Sequence, residues 1–134
     1  MRAPSAGEAA DAPSAAAVPA RPTIRKILSF MLRKQDYIIA EAEDGIDAME
    51  KLGHVQADLI LVDLNMPNMD GIEFAKNLRS NYYYMDTPII MLTTTRDEDL
   101  KKNAFDAGIN LFLNKPIQPN ILLYKVESLL RGGE

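Results

Sequence analysis

Residues 58–63, Asp-Leu-Ile-Leu-Val-Asp, form an unbroken apolar run closed at each end by an acid. A strand with one wet face alternates apolar and polar residues. A run without that alternation marks a strand covered on both faces, the signature of a parallel sheet sandwiched between helices. Pro88-Ile89-Ile90-Met91-Leu92 is a second run of the same kind. Two such strands, separated by a helix-period stretch, predict an α/β architecture.

The rest of the chain fits that alternation. Composition changes near Pro22, and Ile24, Ile27, Leu28, Met31 and Leu32 then recur at helical spacing. Pro22 suits the first turn of that helix. Tyr37-Ile38-Ile39-Ala40 reads as a short strand, and Asp44-Gly45 turns into a helix carrying Ile46, Ala48, Met49 and Leu52. A loop with Pro67 and Gly71 leads to a helix with Ile72, Phe74, Ala75 and Leu78. Leu100, Ala104 and Ala107 lie on the next helix, which Gly108 ends. Leu111-Phe112-Leu113 is a strand, and residues 121–130 form the last helix. The expected fold is a doubly wound parallel sheet, whose ligands bind at the carboxyl ends of the strands at a topological switch point.

Length bounds this to one domain: 134 residues hold one core and not two. Residues 1–13 are Ala- and Pro-rich and read as a disordered leader, with the domain spanning 14–134. Glu8, Asp11 and Pro13 interrupt any signal-peptide core, and no apolar run approaches the roughly 20 residues of a membrane span. A net charge of −4 argues against nucleic acid as a direct partner. Cysteine is absent, which excludes disulfides and thiolate metal sites, and a cytoplasmic location is expected. The one histidine, His54, has no G-x-S-x-G nucleophile segment to accompany it and is read as a polar residue near a helix end.

Three chemically capable side chains stand at the carboxyl ends of successive strands: Asp63, Thr93 and Lys115. A carboxylate can attack phosphorus and become an acyl phosphate. A hydroxyl and an ammonium are the donors that the resulting dianion needs. The segments around them carry a resemblance. LILVDLNMPNMDG (residues 59–71) resembles the phosphorylation-site segment of two-component response-regulator receivers. MLTTT (91–95) resembles their switch-threonine segment, and FLNKP (112–116) their lysine-proline segment. The similarity runs from about residue 22 to the end of the chain.

The resemblance implies a flavodoxin-like five-stranded sheet ordered 2-1-3-4-5 and a chemotaxis-type signalling module rather than an enzyme. It makes Asp63 the phosphoacceptor, Thr93 the hydroxyl that closes on the phosphoryl group and Lys115 its cation. Phe112 falls at the family's rotating aromatic, with an ordinary core phenylalanine as the other reading. Asn65 would join Asp63 at a Mg2+ ion through its backbone carbonyl, and Pro116 would follow a cis peptide. A histidine kinase or phosphotransfer protein would supply the phosphoryl group. With no effector domain after Glu134, output would come from docking on the face formed by residues 96–131.

The resemblance breaks at the first strand. Receivers end that strand in two acids, and here those positions are Pro19 and Ala20. Neither can ligate a metal through its side chain, so magnesium binding is expected to be weak or absent. Arg21, the nearest charge, could stand beside Asp63 or lie in solvent. The strand itself would be Ser14-Ala15-Ala16-Ala17-Val18, alanine-rich and expected to be weak or absent, which would leave unpaired edges open to self-association. Two readings follow: a phosphorylation-controlled switch, or a pseudo-receiver that docks without phosphorylation. A hydrolase using Asp63 ranks behind both, because haloacid-dehalogenase-type phosphatases carry a second acid two residues on, where this chain has Asn65. Tyr82-Tyr83-Tyr84 is an exposed-loop candidate for a partner contact, with a loop packing on its own helix as the other reading.

Overall fold

The computed structural model describes residues 14–18, 22–35, 37–66 and 68–131. Five strands alternate with five helices: β1 (Ser14–Val18), α1 (Pro22–Arg33), β2 (Ile38–Glu41), α2 (Gly45–Leu52), β3 (Leu59–Asp63), α3 (Gly71–Arg79), β4 (Ile89–Thr93), α4 (Glu98–Ala107), β5 (Leu111–Asn114) and α5 (Pro119–Leu130). All pairings are parallel, and the sheet order is β2-β1-β3-β4-β5. Both match the expected architecture. The leader assigned to residues 1–13 lies outside the described residues, as do Pro19, Ala20, Arg21 and Pro67.

One expectation needs correction. β1 is present, pairing with β2 over Ser14↔Ile38 to Ala17↔Glu41 and with β3 over Ala15↔Leu59 to Val18↔Val62. Ladder hydrogen bonds come from the backbone, so a low-propensity alanine run still fills the slot when a strand waits on each side. With β1 in place, β2 and β3 each have a partner there, and self-association through a gap between them loses its physical basis.

The pleat divides the core. Ile60 and Val62 of β3, with Ile89 and Met91 of β4, face one cluster with Ala48, Leu52, Phe74, Leu78, Ala104 and Ala107 from α2, α3 and α4. Leu59 and Leu61, with Ile90 and Leu92, face the other with Leu28 and Leu32 of α1 and Leu122 and Val126 of α5. Successive strand residues point to opposite faces. The unbroken apolar runs are therefore what a sheet with helices on both sides requires, and every residue of β3 and β4 is buried.

Local chemistry sets the element ends. Asp44, Asp70 and Asp97 cap α2, α3 and α4, each accepting a backbone N–H of the first turn. Gly71, placed by the sequence in the loop, is the first residue of α3. Gly108 ends α4 at φ 112°, a left-handed cap that suits glycine. His54 lies exposed just past α2.

The tyrosine triplet forms a 3-10 turn, Tyr82–Tyr84, and its members differ. Tyr82 and Tyr83 are exposed, whereas Tyr84 is buried and its hydroxyl donates to the carbonyls of Leu52 and Val55 at 2.9 and 2.8 Å. Tyr84 therefore fastens this loop to α2 and is not part of an exposed surface.

Candidate functional site

The sheet order reverses between β1 and β3, which opens a crevice at their carboxyl ends. Asp63 closes β3 there. Register brings the other two groups level with it: Asp63 pairs with Leu92, so Thr93 stands one residue further on, and Thr93 pairs with Asn114, just before Lys115. The Lys115 N–H donates to the Thr93 carbonyl at 3.1 Å, and the Leu64 N–H donates to that of Leu92 at 3.2 Å. Backbone hydrogen bonds thus hold the three strand ends at one height.

Asp63 is buried, and Lys115 Nζ lies 2.6 Å from its Oδ1. The ammonium is about one-third exposed, so the pair joins a dry carboxylate to a partly wet cation. Thr93 is buried as well, and its Oγ1 accepts the N–H of Thr95 at 3.0 Å. Asn65, two residues beyond Asp63, is exposed. The Lys115–Pro116 peptide is cis. Phe112 is half-buried against the α2–α4 core, edge-to-face with Phe105 at 5.0 Å, with Lys101 Nζ 5.6 Å from its ring centre.

The loop after Asp63 has supports that sequence reasoning missed. A methyl group on Gly71 would overlap the carbonyl oxygen of Asp63 and lie 2.8 Å from the Met91 methyl, so only glycine lets α3 start this close to the acid. The Gly71 N–H donates to the Leu64 carbonyl at 2.8 Å. Asn68 adopts φ 72°, a left-handed conformation that asparagine tolerates, and its amide donates to Asp44 Oδ2 at 2.8 Å. Asp44 also takes the Asp47 N–H, and these hydrogen bonds, the backbone one foremost, hold its carboxyl below the usual carboxylate range. The Asp-Gly and Asn-Met-Asp-Gly spellings were the available signals, but they forecast turns and not the cross-loop bond.

Among the described residues, no three acidic or imidazole groups lie together in a way that could hold a metal ion. Val18 is level with Val62, one residue short of Asp63, and the sequence continues from it as Pro19 and Ala20, which carry no side-chain oxygen. Magnesium takes oxygen ligands in a strict octahedron and is ordinarily anchored by carboxylates. Asp58 is no substitute, since it precedes the opposite end of β3, roughly 16 Å from Asp63 along the strand.

A parallel five-stranded sheet with an acid, a hydroxyl and a lysine at the ends of its third, fourth and fifth strands is the arrangement of a receiver fold. Residues 17–127 match the family described as response regulator receiver domain, and the chain belongs to it. The chain is 36% identical over 110 residues to chemotaxis protein CheY1 of Helicobacter pylori, covering 81% of this chain and 89% of that one. It is 40% identical over 108 residues to transcriptional regulatory protein ResD of Bacillus subtilis, where the match covers 81% of this chain but only 44% of the relative. Among solved structures, chemotaxis protein CheY4 of Vibrio cholerae superposes with a TM-score of 0.84 at 34% identity, covering 87% of this chain and 97% of that one. The receiver domain of a sensor histidine kinase from Pseudomonas aeruginosa superposes with a TM-score of 0.83 at 26% identity, over 90% and 99% of the chains. That structure holds a magnesium ion coordinated in its active-site cleft.

Proposed function

We propose that this receiver accepts a phosphoryl group on Asp63, passed from a histidine kinase or phosphotransfer protein, and that it does so with little help from magnesium. The observation that carries the reading is the convergence of buried Asp63, buried Thr93 and Lys115 at one level of the sheet. In the transfer, a carboxylate oxygen of Asp63 forms a bond to phosphorus. The P–N bond to the donor imidazole breaks, and the leaving nitrogen keeps the electron pair and takes up a proton. Lys115 moves from the carboxylate to the new phosphoryl oxygens, and Thr93 gives up its hydrogen bond from Thr95 to donate to them. Phe112 swings inward in the space Thr93 vacates. Asn65 and Asp63 remain the only family-matched magnesium positions, too few to hold the ion well.

Output is by docking on the face of residues 96–131, where Phe105, Ile121 and Tyr124 are large, apolar and exposed. The site is cytoplasmic in this reading, and no described helix is long and apolar enough to cross a membrane.

The test is incubation with a small phosphodonor, with mass spectrometry of the intact chain and of Asp63→Asn. Slow labelling confined to Asp63 is the expected result. Rapid labelling would show that another group replaces the metal, with Arg21 the first to mutate. A second reading, the pseudo-receiver, rests on the sequence: Pro19 and Ala20 stand where receivers carry their magnesium-binding acids. Complete absence of labelling, together with partner docking unaffected by Asp63→Asn, would select it.

A further inference from the structure

Along α1, Lys26, Ser29, Phe30, Arg33 and Lys34 follow at helical spacings of three and four. With Glu41 at the end of β2 they line an open cavity of 440 Å³. It shares no residue with the Asp63 site. Three features set it apart from an ordinary solvated helix face. Three cations meet one carboxylate there in a chain whose net charge is −4, and neither Lys26 nor Lys34 is ion-paired among the described residues. Ser29 is buried at the cavity wall, yet its hydroxyl makes no hydrogen bond, a cost that a polar ligand would remove. Phe30 presents 65% of its surface to solvent, with Lys34 Nζ 5.5 Å from the ring centre, so one face of the ring sits beneath a cation.

Cations beside an aromatic platform and an unsatisfied hydroxyl match a ligand that joins a flat ring to anionic oxygens. We propose that this cavity binds a nucleotide. The phosphates lie against Lys26 and Lys34, a phosphate oxygen accepts the Ser29 hydroxyl, and the base stacks on the open face of Phe30. The volume falls within the range of small-ligand pockets, about 300–1,000 Å³. Glu41, the one carboxylate of the lining, disfavours phosphate beside it and favours the exocyclic amine of a base.

Isothermal titration of the full chain with ATP, pyrophosphate and adenosine, in the presence of a metal chelator, tests this. ATP binds saturably, and pyrophosphate and adenosine each bind more weakly. The Lys26→Ala/Lys34→Ala variant weakens ATP and pyrophosphate together by about tenfold or more. Phe30→Ala weakens ATP and leaves pyrophosphate unchanged. All three positions are exposed, so both variants keep the melting temperature and the rate of Asp63 labelling of the parent. No saturable ATP binding, or ATP binding indifferent to both variants, overturns the proposal. Equal binding of ATP and pyrophosphate, unaffected by Phe30→Ala, overturns it as well, leaving a plain anion patch. Loss of phosphotransfer from a protein donor in the double lysine variant, without any ATP binding, reassigns the face to a protein partner.

Discussion

Asp63 rests as one half of an ion pair, and the pair is lopsided: the acid is dry while Lys115 touches water. Removing the lysine takes away the cation that faces a buried carboxylate. Lys115→Ala should cost about 1–3 kcal/mol, below the about 3–5 kcal/mol of a fully buried pair because the lysine is only partly buried. Urea melts check it, and adding Asp63→Asn to Lys115→Ala should restore most of the loss. Arg79 is a second residue-scale support. Its guanidinium donates to the carbonyls of Gly108 and Tyr84 at 2.7 Å each and to Asn110 Oδ1 at 3.0 Å, tying α3 to the end of α4. Burial holds its pKa below the ordinary arginine value. Arg79→Ala leaves these acceptors unmet and should lower stability by about 1–3 kcal/mol, with Asp63 labelling unchanged. The role of Arg79 could not be read from the sequence. Arg79 belongs to a last helical turn where any cation is reasonable, and only tertiary placement puts two carbonyls and an amide within its reach. Asp63, Thr93 and Lys115 were legible because strand ends are legible, and parallel strands deliver their last residues to one edge.

At the scale of elements, the loops around the site are tied to each other as well as to the sheet. Asn68 bonds Asp44, which ties the β3–α3 loop to the start of α2. The folded pKa of Asp44 is depressed, so its contribution is present above the unfolded carboxylate pKa and is lost as pH falls through the lower folded value. Acid titration should therefore release this tie below about pH 4. NMR shifts of the Asn68 side-chain amide and the Asp47 N–H should titrate together; independent titration would contradict the link. Gly71→Ala should push α3 away from the Asp63 carbonyl, cost about 1–3 kcal/mol in thermal melts and slow labelling. Element type was legible for the five helices and for β2 to β5, because continuous apolar runs mark two-sided strands and 3.6-residue periods mark one-sided helices. The Tyr82–Tyr84 turn was not, since solvent-facing Tyr82 and Tyr83 and buried Tyr84 share one spelling. The bounds of β1 were legible but its presence was left open, because composition weighs side chains, whereas its pairing is made by the backbone.

The whole molecule is a receiver whose second strand in space is its weakest in composition. Alanines at 15–17 supply little apolar surface to a strand flanked on both edges. Each large aliphatic reduced to Ala in a core costs about 2–4 kcal/mol, against a total stability of about 5–15 kcal/mol. Replacing residues 14–20 with an aliphatic strand ending in two aspartates should raise the melting temperature and strengthen magnesium binding together. A parent chain that melts as high as the repaired one would refute the stability argument. The central claim is that Asp63 is a phosphoacceptor deprived of its metal. The most direct measurement is the rate of Asp63 labelling by a small phosphodonor, followed by mass spectrometry while magnesium is raised through the low-millimolar range. Slow labelling that disappears in Asp63→Asn and does not respond to magnesium is the predicted result. Rapid labelling that saturates with magnesium would contradict it.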